Sequence, residues 1–143
     1  MTAHALQTTA TESGAPIANP IADISAGLES AVHDGQLSVL ICDDRADVRR
    51  ELSRVFQLRS QGPVESVGDG GDLLDTYEAK SPVQVMIGVH PDSTFGVDAL
   101  DLLLERHPTA QPVVYGSRRD IEFLARVYAR GAAGLVLWEI GNH

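Results

Sequence analysis

The sequence predicts an α/β protein: a doubly wound, five-stranded parallel sheet with helices on both faces. Three observations predict it. Short, continuously apolar runs recur along the chain, the strongest at residues 37–42 and 83–89, and such runs suit strands buried on both faces. Segments with apolar residues at helical spacing alternate with them. Gly, Pro, Asp or Ser residues separate most of these elements, as short crossover connections require. The resulting order βαβαβαβαβ can close only as a parallel sheet wound in one hand, with ligands expected at the carboxyl ends of the strands.

Each element has its own signals. Residues 1–36 carry the acids Glu12, Asp23, Glu29 and Asp34 and neither Lys nor Arg, and their first 18 or so residues lack periodicity, so they read as a flexible N-terminal extension. Within it a helix is predicted at 20–34: Asn19 caps it, Pro20 suits its first position, Ile21, Ile24, Leu28 and Val32 form one stripe, and Gly35 ends it. This helix reads either as a loosely attached leader or as one whose apolar stripe covers another surface or dimerises. The folded domain is placed at 37–143. Its first strand, 37–42, ends at Asp43-Asp44, and Val48, Leu52, Val55 and Phe56 mark a helix at 46–59. A short strand at 64–67 precedes a helix at 72–80 built on Leu73, Leu74 and Tyr77. After the strand at 83–89, Val97, Leu100, Leu103 and Leu104 define a helix stopped by His107-Pro108. A strand at 112–115, a helix carrying Ile121, Leu124, Ala125 and Tyr128 and ending at Gly131, and a strand at 135–138 complete the series.

Composition bounds the function. The chain has 143 residues, 20 acids against 11 bases and a formal charge of −9. That balance argues against a nucleic-acid surface and against an anionic membrane surface. One cysteine, Cys42, excludes an internal disulfide framework and a cysteine zinc cage, and it reads as core. No secretory signal and no spanning apolar run is present, so a cytoplasmic protein is expected. No nucleophile–base pair, P-loop or metal-ligand spacing points to a conventional enzyme, and the histidines His4, His33, His90, His107 and His143 are scattered.

Four segments in order resemble response-regulator receiver domains. VLICDD (39–44) resembles their first strand with its terminal acidic pair, and the stretch GVHPDSTFGVDAL (88–100) resembles the end of their third strand and the helix after it. PVVYGS (112–117) resembles the fourth strand with its terminal Thr or Ser, and ARGAAGLVLW (129–138) resembles the run through the fifth. The resemblance covers about 37–138 and implies the strand order 2-1-3-4-5. In that family an aspartate at the end of the third strand accepts phosphate, the acidic pair and a backbone carbonyl hold Mg²⁺ with it, and a Thr/Ser and a lysine bind the phosphoryl oxygens.

Carried over by position, the match is degenerate. Asp43 and Asp44 stand at the acidic pair, His90 at the carbonyl position and Ser117 at the Thr/Ser position. The phosphoacceptor position holds Gly88, the lysine position Trp138 and the switch aromatic Leu135. The only lysine, Lys80, lies on another element. Aspartyl phosphorylation needs a carboxylate nucleophile and charge neutralisation beside it, and both the nucleophile and the cation are missing. No cofactor is then required, and the retained pair implies at most weak Mg²⁺ binding. Without a metal, the adjacent carboxylates are expected to repel and raise one pKa. Trp138 is expected to fill the volume that lysine and phosphate would share.

These readings predict an atypical, stand-alone receiver in two-component or phosphorelay-type signalling. It acts through protein–protein contacts without aspartyl phosphorylation, on a surface around Arg118, Arg119, Tyr128 and Trp138. A protein partner or a second copy of the chain is expected, with no nucleic acid and no membrane contacted directly. The alternatives are a pseudo-receiver that senses a small molecule, a receiver phosphorylated on Asp92, and the remnant of a longer transcriptional regulator that lost its DNA-binding domain. The family's final helix is expected to be missing, and the 20–34 helix or a second subunit is expected to cover the sheet face it would occupy.

Overall fold

The computed structural model describes residues 7–8, 36–60 and 62–138. The elements in chain order are β1 (Gln7–Thr8), β2 (Val39–Cys42), α1 (Ala46–Arg59), β3 (Val64–Val67), α2 (Gly70–Lys80), β4 (Gln84–Gly88), α3 (Phe95–Arg106), β5 (Val113–Ser117), α4 (Ile121–Tyr128) and β6 (Gly134–Trp138). A single 3₁₀ turn, Arg118–Asp120, leads from β5 into α4. The sheet order is β1-β6-β5-β4-β2-β3. Strands β2 to β6 are mutually parallel, so without the edge strand they follow the expected 2-1-3-4-5.

Alternation along the strands sends side chains to two apolar layers. On one face Val39, Ile41, Met86, Tyr115, Val136 and Trp138 pack with Val48, Leu52 and Phe56 of α1, which recur every four residues and so form one stripe. On the other, Leu40, Cys42, Val85, Ile87, Val114, Leu135 and Leu137 pack with Leu73, Leu74, Leu100, Leu103, Leu124 and Val127 from α2, α3 and α4. The inner strand β2, between β4 and β3, is buried along its whole length, which accounts for its uninterrupted apolar sequence.

The helix ends are set by local chemistry. The Asp69 carboxylate accepts the Asp72 amide at 2.7 Å, and α2 therefore begins at Gly70, two residues earlier than its apolar pattern suggests. At its other end Ser81 adopts φ 44°, the left-handed conformation that stops a helix. Lys80 there pairs with Glu65, away from the carboxyl ends of the strands. Helix α3 starts hard against β4, since a Cβ on Gly96 would lie 2.2 Å from the Gly88 carbonyl oxygen.

The structure departs from the sequence reading at the sheet edge. Gln7 and Thr8 lie within the stretch expected to be flexible, yet they pair antiparallel with β6, in the register Gln7↔Leu137 and Thr8↔Val136. An open edge strand invites pairing with other chains, and this two-residue strand occupies that edge of β6. The helix expected at 20–34 and the residues after Trp138 lie outside the described residues. No described helix is long and apolar enough to cross a membrane.

Candidate functional site

The site lies at the carboxyl ends of β2, β4, β5 and β6. Strand β2 delivers Asp43, which is completely buried. Its Oδ1 accepts the Arg45 amide at 2.9 Å, an Asx-type turn that reverses the chain into α1. The same oxygen lies 3.0 Å from His90 Nε2, and Oδ2 accepts the Tyr115 hydroxyl at 2.7 Å. His90 comes from the loop after β4 and is 8% exposed. Tyr115 is fully buried in β5, and its ring meets Trp138 at 5.1 Å between centroids, tilted by 48°.

Gly88 explains why these groups can meet. In the sheet register Gly88 pairs with Tyr115. A Cβ on Gly88 would lie 2.2 Å from Asp43 Oδ2 and 2.8 Å from the Tyr115 hydroxyl oxygen. Heavy atoms do not approach that closely, so the Asp43–Tyr115 hydrogen bond occupies the space a side chain at Gly88 would need. The absent side chain and the buried bond are one arrangement.

The electrostatics follow from burial and bonding. Burial alone would push the Asp43 carboxyl up. The hydrogen bonds from His90, Tyr115 and the Arg45 amide, with the charge of His90, outweigh it and hold the group below the ordinary aspartate range. For Asp43 the direction is opposite to the raising expected from adjacent acids, because hydrogen-bond donors surround it; Asp44 is exposed and accepts Ser93 Oγ at 3.0 Å. Burial, then the Asp43 charge, holds the Tyr115 hydroxyl well above its usual value, so it stays a donor. Burial and the same charge push the Cys42 thiol up to about 12, in keeping with a core residue.

The pH consequence has a definite sign. The folded pKa of Asp43 lies below the unfolded one, so the unfolded chain binds the proton more tightly and acid favours unfolding. The stabilisation is complete above the ordinary aspartate value of 3.8 and is lost as pH falls through the lower folded value. Replacing Tyr115 by phenylalanine removes a hydrogen bond to a buried charge. It is expected to cost about 1.5–3 kcal/mol at neutral pH and to shrink the acid-side loss of stability, both read from urea unfolding across pH.

The remaining expected site residues are placed as follows. Ser117 Oγ accepts the Arg119 amide at 3.4 Å where β5 turns towards α4. Asp92 is exposed and pairs with Arg45 at 2.6 Å. Leu135 is buried in the layer facing α2, α3 and α4, whereas Trp138 lies in the layer facing α1. Trp138 is 1% exposed and presents almost no surface, which corrects its place in the expected interaction face. Arg119 is exposed, and Arg118 and Tyr128 are half-buried. A cleft of about 320 Å³ opens beside the site, lined by Arg45, His90, Asp92, Ser117, Arg119 and Trp138 among others.

Sequence reasoning assigned His90 only a backbone role and Tyr115 none. The available signal for Tyr115 was a phenol inside an apolar strand, which needs a hydrogen-bond partner once buried. The donor set also differs from a receiver Mg²⁺ centre. Mg²⁺ demands near-octahedral oxygen ligation, whereas the third strand ends here without a carboxylate and the nearest third donor is the His90 imidazole. These residues do not fit the family's metal.

The comparisons agree on the fold. No family model matches the chain. The transcriptional regulatory protein DegU of Brevibacillus brevis is 23% identical over 114 residues, which are 79% of this chain and 48% of that protein. The chain thus spans about half the length of this curated relative. The N-terminal receiver domain of a response regulator from Bacteroides fragilis superposes with a TM-score of 0.60 at 17% identity, covering 68% of this chain and 80% of that one. A chain of the CheX–CheY–BeF3–Mg²⁺ complex from Borrelia burgdorferi gives 0.60 at 16% identity, over 73% and 79%. The receiver domain of NtrX from Brucella abortus gives 0.59 at 21% identity, over 74% and 88%. These likenesses show that the chain has the fold of response-regulator receiver domains.

Proposed function

We propose that this receiver domain works in two-component or phosphorelay-type signalling in the cytoplasm, through protein–protein contacts and without accepting phosphate on an aspartate. The observation that carries the reading is the closure of the acceptor position. Gly88 supplies no nucleophile, and the Asp43–Tyr115 hydrogen bond fills the space where one would stand. At the lysine position Trp138 packs against Tyr115 and supplies no cation. The domain is neither an enzyme nor dependent on a cofactor in this reading.

The contact surface is the exposed side of α4 with the turn before it. Ile121 is 43% exposed there, an apolar side chain on a segment that also exposes Arg119, Glu122 and Arg126, the kind of mixed surface protein partners use. The test is capture of partners from the native host on the immobilised full chain, with and without a phosphoryl donor. The same partner is expected in both conditions, and Ile121→Arg is expected to abolish its capture. A partner retained only after phosphoryl-donor treatment would contradict the reading.

A second reading keeps the same fold as a small-molecule sensor. The cleft beside Trp138 favours it, because Arg45, His90, Ser117 and Arg119 supply polar side chains along its lining.

A further inference from the structure

We propose that the cleft between α1 and the edge strand β3 binds a phosphate group, either free as inorganic phosphate or carried by a small phosphomonoester. The cleft has a volume of about 240 Å³ and is lined by Ala46, Arg49, Arg50, Ser53 and Ser66. It shares no residue with the cleft beside Trp138 at the carboxyl ends of the strands. The four α1 residues follow a spacing of three and four, which sets them on one face of the helix. Alternation along β3 puts Ser66 on the same side as Val64, which packs against the α1 layer. Glu65 lies on the opposite side and pairs with Lys80.

Positive charge is concentrated here. Residues 45–59 carry Arg45, Arg49, Arg50, Arg54 and Arg59 against Asp47 and Glu51, five bases against two acids, in a chain whose net charge is −9. Arg45 and Arg54 are spent on Asp92 and Glu51. Arg49 donates from Nη1 to the main-chain carbonyl of Asp43 at 2.6 Å and lies across Gly68, where a Cβ would come 2.9 Å from that same nitrogen. Its guanidinium is thus held from behind, and its other N–H groups make no hydrogen bond among the described residues. Arg50 is exposed and has neither an ion pair nor a hydrogen bond among the described residues. No carboxylate lines the cleft.

A second observation points to a ligand. Ser53 Oγ is shut off from solvent and has no hydrogen-bond partner, a state that costs stability until something bonds the hydroxyl. Rotation to another staggered position about χ1 brings it to the cleft that Ser53 already lines. Ser66, exposed on β3, supplies a second hydroxyl. Two guanidinium forks and two hydroxyls exceed what the two oxygens of a carboxylate can accept, and they suit the terminal oxygens of a tetrahedral phosphate. The bound group ties the edge strand β3 to α1. The site lies apart from α4, so the proposal stands independently of how the domain contacts a partner.

The test titrates the ¹⁵N-labelled full chain with inorganic phosphate and, separately, with glycerol phosphate, at constant ionic strength, followed by two-dimensional NMR. Saturable shifts are expected at the Arg49 and Arg50 side-chain Nε–H signals and at the Ser53 and Ser66 amides, whereas acetate at the same concentration leaves them in place. Tighter binding of glycerol phosphate identifies an ester as the natural ligand, and tighter binding of inorganic phosphate identifies the free anion. Arg50→Gln is expected to weaken binding by about tenfold or more and Ser53→Ala by about threefold or more, while Arg106→Gln leaves it unchanged. Arg50 is exposed and unpaired among the described residues, so its variant keeps the fold. Ser53→Ala is expected to leave the free chain at least as stable as the parent, because it removes an unbonded hydroxyl. Shifts that do not saturate, an equal response to acetate, or unchanged affinity in Arg50→Gln overturns the proposal.

Discussion

Replacing Gly88 by aspartate, which restores the family's phosphoacceptor, is expected to destabilise the domain by about 3 kcal/mol or more and not to confer phosphorylation. The new Cβ would begin 2.2 Å from Asp43 Oδ2, so Asp43 would have to leave its partners. The new carboxylate would enter a buried region beside one that is already ionised, with no lysine on β6 to compensate. Gly88→Ala separates these effects, because it carries the clash without the charge and is expected to cost about 1–3 kcal/mol. Denaturant unfolding of the three chains measures both terms. A Gly88→Asp chain as stable as the parent would show that the Asp43–Tyr115 bond does not occupy this space.

Truncating Trp138 to alanine is expected to be similarly severe, about 3–5 kcal/mol. The indole is fully enclosed, and it backs the Tyr115 ring that holds Asp43. The loss therefore combines a large cavity with a looser hydrogen bond to a buried charge. Because Trp138 is the only tryptophan, unfolding of this variant has to be followed by far-UV circular dichroism. A cost below 1 kcal/mol would mean that the pocket can collapse around the gap, and that the tryptophan does not brace the site.

Much of this architecture was legible in the sequence because the physics that sets it is local. The apolar run of β2 needs no tertiary information to read as a doubly covered strand, and the four-residue spacing of Val48, Leu52 and Phe56 marks the buried face of α1. The placing of Asp43, Gly88, Ser117 and Trp138 at strand ends was implied by the resemblance to receiver domains. What escaped depends on registers between strands. Tyr115 reaches Asp43 only because β5 pairs with β4 so that Tyr115 lies opposite Gly88. His90 becomes a side-chain partner of Asp43 through a loop whose course the sequence does not state. The strand Gln7–Thr8 has no periodicity of its own at two residues, and its pairing with β6 is a purely tertiary event.

These observations change what the retained acids mean. In the sequence Asp43 and Asp44 look like the surviving half of a phosphorylation site. In the structure they have separated: Asp43 is a buried structural anion held by Tyr115, His90 and the Arg45 amide, while Asp44 faces solvent. A buried, fully bonded carboxylate is poorly placed to attack a phosphoryl donor, since its nucleophilic lone pairs are committed to hydrogen bonds. Asp92, the alternative acceptor considered from the sequence, is paired with Arg45 at the surface.

The most direct measurement is intact mass of the full chain after incubation with a small-molecule phosphoryl donor and Mg²⁺, analysed at once and again after the donor is removed. The closed acceptor site predicts an unmodified chain at every time point, with a conventional receiver domain labelled in parallel. A phosphoryl adduct that maps to Asp43, Asp44 or Asp92 would contradict it.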